Sequence, residues 1–204
     1  MDNNIVLYGA SGHCKVIIDL LESDGLAIGS IIDDAPKSDI LGYPVLHSEN
    51  YCFSGEEKMI LSIGNNKVRK NLSEKLNVTF VRAIHPKAII SKHSVIGEGT
   101  VVMAGAIVNP EVSIGVHCII NTGAVIEHDC KINDFAHISP NVSLAGGVEV
   151  GEGSQVGIGA SVIQGVKIGK WAVVGAGAVV IHNVPDFAVV VGNPGKVLKI
   201  KSDE

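Results

Sequence analysis

Aromatic residues are scarce in this sequence of 204 residues: one Trp, three Tyr and four Phe make up 4% of the chain. Positive charge is also in the minority, since 16 Lys and Arg face 21 Asp and Glu, which gives a formal net charge of −5 at pH 7. A nucleic-acid-binding protein usually carries a basic surface and a high isoelectric point, so the composition argues against that class. No apolar run reaches the roughly 20 residues that a membrane-spanning helix needs, and we expect no membrane insertion.

Signals for export, metal binding and redox chemistry are missing as well. The first residues lack the basic start and long apolar stretch of a secretory signal. The four cysteines show no C-x-x-C spacing, so the sequence predicts neither a zinc site nor a redox pair. We therefore expect a cytoplasmic protein with reduced, mostly structural thiols.

A repeat of six residues, or hexad, fills the second half of the chain. An aliphatic residue stands at every sixth position from Ile84 to Val180, and a small or β-branched residue follows each one four positions later. An α-helix, with its period of 3.6 residues, cannot keep both rows in register over such a length. A helical coil of short parallel strands can, and we expect the glycines that follow the aliphatic row, such as Gly97 and Gly115, to form its tight corners.

The segment before the repeat has a different pattern. Residues 5–8 predict a buried strand, 9–13 a glycine-rich turn and 15–23 an amphipathic helix. The remaining predictions are strands at 28–32, 59–63 and 78–83 and a helix at 67–75. Alternating strands and helices predict a small parallel α/β domain, in which ligands bind beyond the carboxyl ends of the strands.

The chain is accordingly divided into three parts. We expect a Rossmann-like α/β domain over 1–83, a β-helix over 84–185 and a C-terminal cap over 186–204. The fold class is thus mixed, and the two end regions are candidates for covering the exposed sheet edges of the β-helix.

The turn from Gly9 to His13 is a candidate phosphate site. It opens a helix directly after a strand, where free backbone N–H groups and the helix dipole favour an anion. Asp33 and Asp34 end the next strand and Gly64 follows the third, so these residues should converge on one crevice. The pattern predicts phosphate or nucleotide binding. The alternative is a plain tight turn with aspartates that only cap a loop.

His128 is the histidine whose neighbours point most clearly to chemistry. Glu127 and Asp129 flank it, and a carboxylate beside an imidazole can fix its tautomer and raise its basicity, as a general base requires. One coil comprises three hexads, so Gly146 should stack on His128, where its N–H could face the oxygen of a tetrahedral intermediate. His137 lies half a coil further on. Whether it joins this site within one chain or across a subunit boundary is open.

A metal site is the alternative use of the histidines. His117, His128 and His137 could surround a metal, as three histidines do in γ-class carbonic anhydrases. Their spacings of 11 and 9 positions do not match the H-x4-H pair expected there, so we expect no metal. Cys118 and Cys130 stand in the small-residue row and are interpreted as packing residues rather than nucleophiles.

Several motifs occur in a characteristic order along nearly the whole chain. They are Tyr8-Gly-Ala-Ser-Gly-His13, Asp33-Asp34, Ile63-Gly-Asn-Asn66, the hexapeptide repeat, Val125-Ile-Glu-His-Asp-Cys130 and Gly192-Asn-Pro-Gly-Lys196. Together they resemble the PglD/NeuD group of bacterial sugar O- and N-acyltransferases, which includes UDP-4-amino-sugar N-acetyltransferases. The resemblance implies a left-handed β-helix and a homotrimer with active sites between adjacent prisms.

The same resemblance implies acetyl transfer from acetyl-CoA to an amino group of a UDP-linked sugar, without a metal or an acyl-enzyme. His128 would be the general base, with Asp129 raising its basicity. The residues implied to contact acetyl-CoA are His137, Gly146, Ile158 and Ala176. Those implied to hold the UDP-sugar are Ser11, Gly12, His13, Asp33, Asp34 and Gly64. The basic residues Lys196, Lys199 and Lys201 offer charge for the CoA phosphates, or form a solvated tail.

Two other functions remain open on the sequence. The same prism and histidine serve hydroxyl acceptors, so the chain could be an O-acetyltransferase acting on a sugar such as sialic acid. A trimer that binds acetyl-CoA without turnover, or serves only as a scaffold, is the alternative from another class. The flanked histidine with a glycine one coil away argues against it.

Overall fold

The computed structural model describes residues 4–36 and 39–202 of the chain. Its N-terminal part is a five-stranded parallel sheet with a helix on each face. The elements of this part are β1 (Ile5–Tyr8), α1 (Gly12–Ser23), β2 (Ile28–Asp33), β3 (Val45–His47), a short 3-10 helix (Ser48–Asn50), β4 (Lys58–Leu61), α2 (Asn66–Lys75) and β5 (Thr79–Phe80). The strand order is β3-β2-β1-β4-β5, so the chain reverses its direction of winding beside β1. In parallel α/β sheets such a reversal is where ligands bind.

Both helices begin earlier than the sequence predicts. α1 begins at Gly12 rather than Lys15, because the end of the glycine turn is already helical. α2 begins at Asn66, because the side chain of Asn65 caps the helix by accepting a 3.0 Å hydrogen bond from the Val68 N–H.

The strand predictions of this part need three corrections. β3 is a short, partly exposed edge strand whose sequence carries no alternating pattern, and it was missing from the predictions. The strand expected at 59–63 is β4, which ends at Leu61, where Ser62 begins the turn to α2. The single strand expected at 78–83 is divided, since Thr79 and Phe80 pair with β4 while Ala83 already pairs with Val101 of the repeat.

The repeat forms a left-handed parallel β-helix, as predicted. Its two-residue strands are β6 (Ala83–Ile84), β7 (Ile89–Ile90), β8 (Val95–Ile96), β9 (Val101–Val102), β10 (Ile107–Val108), β11 (Ser113–Ile114), β12 (Ile119–Ile120), β13 (Val125–Ile126), β14 (Lys131–Ile132), β15 (His137–Ile138), β16 (Ser143–Leu144), β17 (Glu149–Val150), β18 (Gln155–Val156), β19 (Ser161–Val162), β20 (Lys167–Ile168), β21 (Val173–Val174) and β22 (Val179–Val180). Each strand pairs with the strand three hexads away, so three sheets form a triangular prism.

Both rows of the repeat point into the prism. The aliphatic residues from Ile96 to Val180 are at most 7% exposed, and the small residues from Thr100 to Val184 at most 5%. Hydrophobic burial of these two rows therefore provides the core of the β-helix, which has no room for aromatic side chains.

The corners work differently from the sequence expectation. The residue with positive φ stands three positions after the aliphatic row, as at Gly99 (φ +71) and Asp129 (φ +62). Gly97, which directly follows the row, is needed for another reason, since a Cβ there would lie 2.6 Å from the backbone of Gly115. Glycine after the aliphatic row thus permits close stacking of coils.

The three faces of the prism differ in the side chains that they present outward. The N-domain face (β6, β9, β12, β15, β18 and β21) is covered near its start by α1, which packs against Ala83, Val101 and Ile119. The uncharged face presents Ile89, Ile107, Val125, Ser143, Ser161 and Val179. The charged face presents Val95, Ser113, Lys131, Glu149 and Lys167, with Glu149 between the two lysines.

We number the edges in chain order. Edge 1 joins the N-domain face to the uncharged face and carries Ile158 and Ala176. Edge 2 joins the uncharged face to the charged face and carries His128 and Gly146. Edge 3 joins the charged face back to the N-domain face and carries His117.

The C-terminal strands extend the N-domain face. β23 (Ala188–Val191) pairs in parallel with β21, and β24 (Lys196–Ile200) pairs antiparallel with β23. The N-terminal domain packs on one face of the first coils, at Ala83, Val101 and Ile119, and leaves Ile89 and Val95 on the other two faces exposed. Within residues 4–36 and 39–202, no helix has the length and hydrophobicity to span a bilayer.

Candidate active site

His128 and Asp129 form a hydrogen-bonded pair at the turn between β13 and β14. The Nδ1 atom of His128 lies 2.7 Å from Oδ2 of Asp129. The two side chains are 63% and 65% exposed, so most of the imidazole is accessible to a reactant. Asp129 has a left-handed backbone, which Asp tolerates better than most residues.

Gly146 stacks on the ring of His128, at the position that the three-hexad coil predicts. A Cβ atom on Gly146 would lie 2.6 Å from Cε1 and 2.8 Å from Nε2 of the imidazole. The next residue, Gly147, donates its N–H to the carbonyl oxygen of His128 over 2.9 Å and joins the two corners. A side chain at position 146 would therefore displace the ring.

The charge around His128 favours its protonated form. The hydrogen bond to Asp129 is the main cause that raises the pKa of His128, and the charges of Asp129 and Glu127 act in the same direction. A raised pKa makes the imidazole a better proton acceptor from a weakly acidic group.

A second cluster lies where the N-terminal domain meets the prism, on the N-domain face. The rings of His13 and His137 face each other with centroids 6.5 Å apart. Nε2 of His137 lies 3.1 Å from Nδ2 of Asn121. The backbone of Gly64 lies beside His137 and acts to raise the pKa of this ring. We call His13, Gly64, Asn121 and His137 the junction cluster.

The histidines of the junction cluster are neutral. Burial lowers the pKa of His13 to about 4, and the charge of Arg69 acts in the same direction. Burial likewise lowers the pKa of His137 to about 3, with contributions from Arg69 and His13. Nε2 of His13 is buried and has no hydrogen-bond partner within the described residues. A buried polar atom of this kind is suited to a hydrogen bond with a ligand.

The aspartates at the end of β2 bind the protein itself. Asp33 accepts hydrogen bonds from the N–H groups of Ala10 and Ala35, at 2.7 and 2.9 Å. Asp34 accepts from the hydroxyls of Tyr8 and Ser48, and these bonds lower its pKa. Both carboxylates thus order the loops around the glycine turn, as the alternative interpretation of this motif proposed. Their use in ligand binding stays a prediction.

The glycines of the predicted nucleotide site differ in their surroundings. Gly9 has a φ of +107, and a Cβ there would lie 2.5 Å from the side chain of Ile63, so this position requires glycine. At Gly12 and Gly64 a Cβ would meet no atom within 4 Å. Gly12 and Ser11 are exposed at the N-terminus of α1.

The sequence-predicted residues therefore fall into separate places within one chain. His128, Asp129 and Gly146 lie at edge 2, while Ile158 and Ala176 are exposed turn residues at edge 1. His137 belongs with His13 on the N-domain face. Of two surface clefts of about 600 and 460 Å³, the larger is lined by none of the predicted site residues and the smaller only by Lys201.

The histidines considered for a metal lie apart, and the cysteines considered as nucleophiles are buried. His117 is at edge 3, between the rings of Phe80 and Phe135, away from edge 2. Among the described residues, no group of three or more His, Cys, Asp or Glu side chains is placed to hold a metal ion. Burial raises the pKa of the Cys118 thiol to about 12 and also raises that of Cys130, so both stay protonated.

Two residues of the site region were missed from the sequence. Asn121 follows the aliphatic row, at a position that holds many residue types and is Asn in two other hexads as well, so the repeat gives no signal for it. Arg69 lies in a predicted amphipathic helix. The only feature of the sequence that marks Arg69 is the scarcity of arginine, since the chain contains just two, Arg69 and Arg82.

Comparisons with known proteins agree with this architecture. The family model of the PglD N-terminal domain matches residues 4–76. A curated UDP-N-acetylbacillosamine N-acetyltransferase of Bacillus subtilis is 43% identical over 111 residues, and this match spans about half the length of each protein.

Solved structures match over nearly the full length. A histidine-to-asparagine variant of perosamine N-acetyltransferase from Caulobacter crescentus, in complex with CoA and GDP-perosamine, has a TM-score of 0.90 and 38% identity and covers 96% of this chain and 97% of its own. The acetyltransferase domain of PglB from Neisseria gonorrhoeae, in complex with acetyl coenzyme A, has a TM-score of 0.90 and 34% identity and covers 97% of this chain and 100% of its own.

These likenesses define the class as left-handed β-helix acetyltransferases with an N-terminal α/β domain. Within that class, the chain belongs to the PglD family of bacterial sugar acyltransferases, which confirms the resemblance inferred from its motifs.

Proposed function

We propose that this protein is an acetyl-CoA-dependent N-acetyltransferase that acts on the 4-amino group of a UDP-linked amino-dideoxy sugar. The observation that carries the proposal is the His128–Asp129 pair, whose imidazole is exposed, made more basic and stacked on Gly146. The named relatives support the acyl donor and the kind of acceptor, since they are N-acetyltransferases of nucleotide-linked amino sugars or bind CoA or acetyl-CoA.

Acetyl transfer requires few groups from the protein. The amine nitrogen of the sugar attacks the thioester carbonyl carbon, and His128 accepts the proton that the nitrogen loses. The N–H of Gly146 stabilises the oxyanion that forms on the carbonyl oxygen. The C–S bond then breaks, the amide forms, and the proton on His128 passes to the CoA thiolate. Asp129 holds the imidazole in the tautomer that leaves Nε2 free to accept.

The acceptor binds at the N-terminal domain in this proposal. The phosphates lie at the glycine turn with Ser11, Gly12 and His13, and the sugar passes Gly64 toward His137. Asp33 and Asp34 contact the nucleotide as well as ordering the loops. The division into a nucleotide-binding domain (1–83), an acetyl-transfer domain (84–185) and a C-terminal cap (186–204) follows from these assignments.

A homotrimer would complete the site. Within one chain the proposed base and Gly146 lie at edge 2, whereas Ile158 and Ala176, the other residues proposed for acetyl-CoA, lie at edge 1. His137, which the resemblance implied for acetyl-CoA, lies on the N-domain face and is assigned here to the acceptor. If the uncharged faces of three prisms pack around a threefold axis, edge 2 of each prism meets edge 1 of its neighbour. Ile107, Val125 and Val179 on that face are suited to such an interface, because none of them carries a charge to desolvate.

The test is CoA release from acetyl-CoA by the purified protein. The acceptors are a UDP-linked 4-amino-4,6-dideoxy sugar, GDP-perosamine and free sialic acid, with a control that contains no acceptor. We expect fast turnover with the UDP-linked sugar alone. Turnover with GDP-perosamine instead would retain N-acetylation and change the nucleotide, and turnover with sialic acid alone would establish O-acetylation. Acetyl-CoA binding with no turnover on any acceptor would establish a non-catalytic protein.

A further inference from the structure

Arg69 is a buried cation at the centre of the junction between the two domains. It lies on α2 and is 1% exposed. Its Nε donates to the carbonyl oxygen of His117 over 2.8 Å, and its Nη2 donates to that of Phe135 over 2.9 Å. These two carbonyls belong to successive coils at edge 3. The same guanidinium donates from Nη1 to the carbonyl of Ile63, also over 2.9 Å.

The hydrogen-bond partners of Arg69 are all neutral. They are three backbone carbonyls and the side-chain oxygen of Asn66. A buried charge without a carboxylate costs free energy, and a buried cation is ordinarily paired. Lys70, on the next position of α2, is paired in that way with Glu152. Holding α2 against the prism therefore does not by itself explain why a buried cation without a carboxylate partner stands at position 69.

The turn that Arg69 holds leads directly to the junction cluster. Ile63 accepts from the guanidinium, and the next residue, Gly64, places its backbone beside His137. Arg69 bonds the carbonyl oxygen of Phe135, and His137 stands two residues later on the same coil. One planar group thus fixes both partners of the Gly64–His137 contact, and five N–H donors in a rigid fork suit this task.

We propose that Arg69 is a positioning residue for the acceptor site, which sets the Ile63–Gly64 turn against His137 so that His13, Gly64 and His137 form one binding surface. The proposal rests on the function proposed above. Arg69 itself touches no reactant, because it is 1% exposed and four of its five N–H donors already bond the protein.

The charge of Arg69 gives this role a second consequence. It acts with burial to lower the pKa of both His13 and His137, and the charge of His13 lowers that of His137 further. Asn121 and the backbone of Gly64 are the other polar groups at His137 and carry no charge. Both imidazoles are therefore neutral near pH 7, and a neutral imidazole both donates and accepts a hydrogen bond.

Two substitutions separate the geometry from the charge. Arg69→Lys keeps the positive charge but loses the planar set of N–H donors. Arg69→Gln loses both the charge and that set of donors. Lys70→Gln is the matched control, because it removes another contact between the same helix and the prism, the ion pair with Glu152, without touching the Ile63–Gly64 turn. The thermal unfolding of each variant is measured first. The kinetics are then measured at a temperature at which all variants are folded.

Kinetics and ring titration are then measured together. We expect KM for the sugar nucleotide to rise about tenfold in both Arg69 variants, with a much smaller change in KM for acetyl-CoA. In Arg69→Gln, NMR titration should show higher pKa values for His13 and His137, while Arg69→Lys should keep them low. In both variants the ¹⁵N shifts of His137 should show a changed ratio of ring tautomers as the backbone of Gly64 moves away from the ring.

The outcomes are separable from those of the proposed function. Arg69 variants that lose thermal stability like Lys70→Gln but keep KM, tautomer and ring pKa would make Arg69 a structural clamp and overturn the proposal. If the wild-type protein shows no turnover with any acceptor, the proposed function fails, and the tautomer and pKa of His137 still decide whether Arg69 sets the junction cluster.

Discussion

The exposed corner at edge 2 and the half-buried junction cluster use the same side chain in opposite electrostatic settings. At the corner, His128 is open to solvent and bonded to a carboxylate, which raises its pKa. At the junction, His13 and His137 are half-buried beside a cation, and desolvation together with that charge lowers their pKa values to about 4 and about 3. The difference shows that the chemical role of a histidine cannot be inferred from the residue type alone. The surroundings make one imidazole suited to proton transfer and two suited to neutral hydrogen bonding.

Replacing His128 by Asn should have the largest effect on activity. Loss of a general base lowers kcat by roughly 10²- to 10⁴-fold. The fold should be unchanged, because the side chain is exposed. Steady-state kinetics and circular dichroism check both expectations. The matched control is His93→Asn, a change in an exposed histidine at another turn, and near-normal kcat in His128→Asn would remove this residue from the mechanism.

The Gly146→Ala variant should lower kcat by about 100-fold, because a displacement of the catalytic group by about 1 Å has an effect of that size. The added Cβ would collide with the ring of His128, which is exposed enough to move without unfolding the coil. Steady-state kinetics measure the change. The control is Gln164→Ala, which changes the equivalent turn position one coil further. Equal kcat in wild type and Gly146→Ala would show that ring placement at edge 2 does not limit the reaction.

Asp129→Asn should lower kcat/KM by roughly 100-fold, the low end of the range for general-base catalysis, since the imidazole stays in place but loses the group that fixes its tautomer and raises its basicity. The pKa of His128 should fall, because the hydrogen bond and charge of Asp129 raise it in the native protein. The acid limb of the pH profile should therefore move to lower pH. A limb that stays in place would mean that another group titrates.

The Gly64→Ala variant tests the junction without disturbing the corner. A methyl group at this position meets no protein atom, so the melting temperature should not change. If the sugar passes Gly64, KM for the sugar nucleotide should rise about tenfold while KM for acetyl-CoA stays constant, the usual order for a one-carbon misfit. An equal rise in both KM values would contradict the assignment of the two substrates to different regions.

Acid should destabilise the protein through the junction rather than the corner. Because the pKa values of His13 and His137 are lowered on folding, the unfolded chain binds more protons between about pH 6.5 and pH 4. Stability should therefore fall with falling pH in that window, by about 1 kcal/mol per pH unit for each histidine. Denaturant unfolding at several pH values measures the slope. His13→Gln should reduce it, whereas His128→Asn should not.

The β-helix and the stacking at edge 2 could be predicted from the sequence because both follow from a strict period. The row from Ile84 to Val180 fixes which residues lie inside, and three hexads per coil place Gly146 on His128. The junction cluster could not be predicted in the same way. The contacts of His13, Asn121 and His137 depend on how the α/β domain packs on the prism, and no local pattern encodes that packing. Arg69, which holds it, looks in sequence like any basic residue on a helix.

Every coil of the prism has the same length of three hexads, so positions along the prism axis are fixed in steps of one coil. A deletion or insertion of one residue between His128 and Gly146 would shift the inward rows out of register, whereas an added block of three hexads would preserve them. Such a block would translate everything beyond it by one strand spacing, about 4.8 Å. The distance between His128 and the far end of a long acyl donor can therefore change only in steps of one strand spacing. Relatives with longer or shorter prisms should accordingly differ by whole coils.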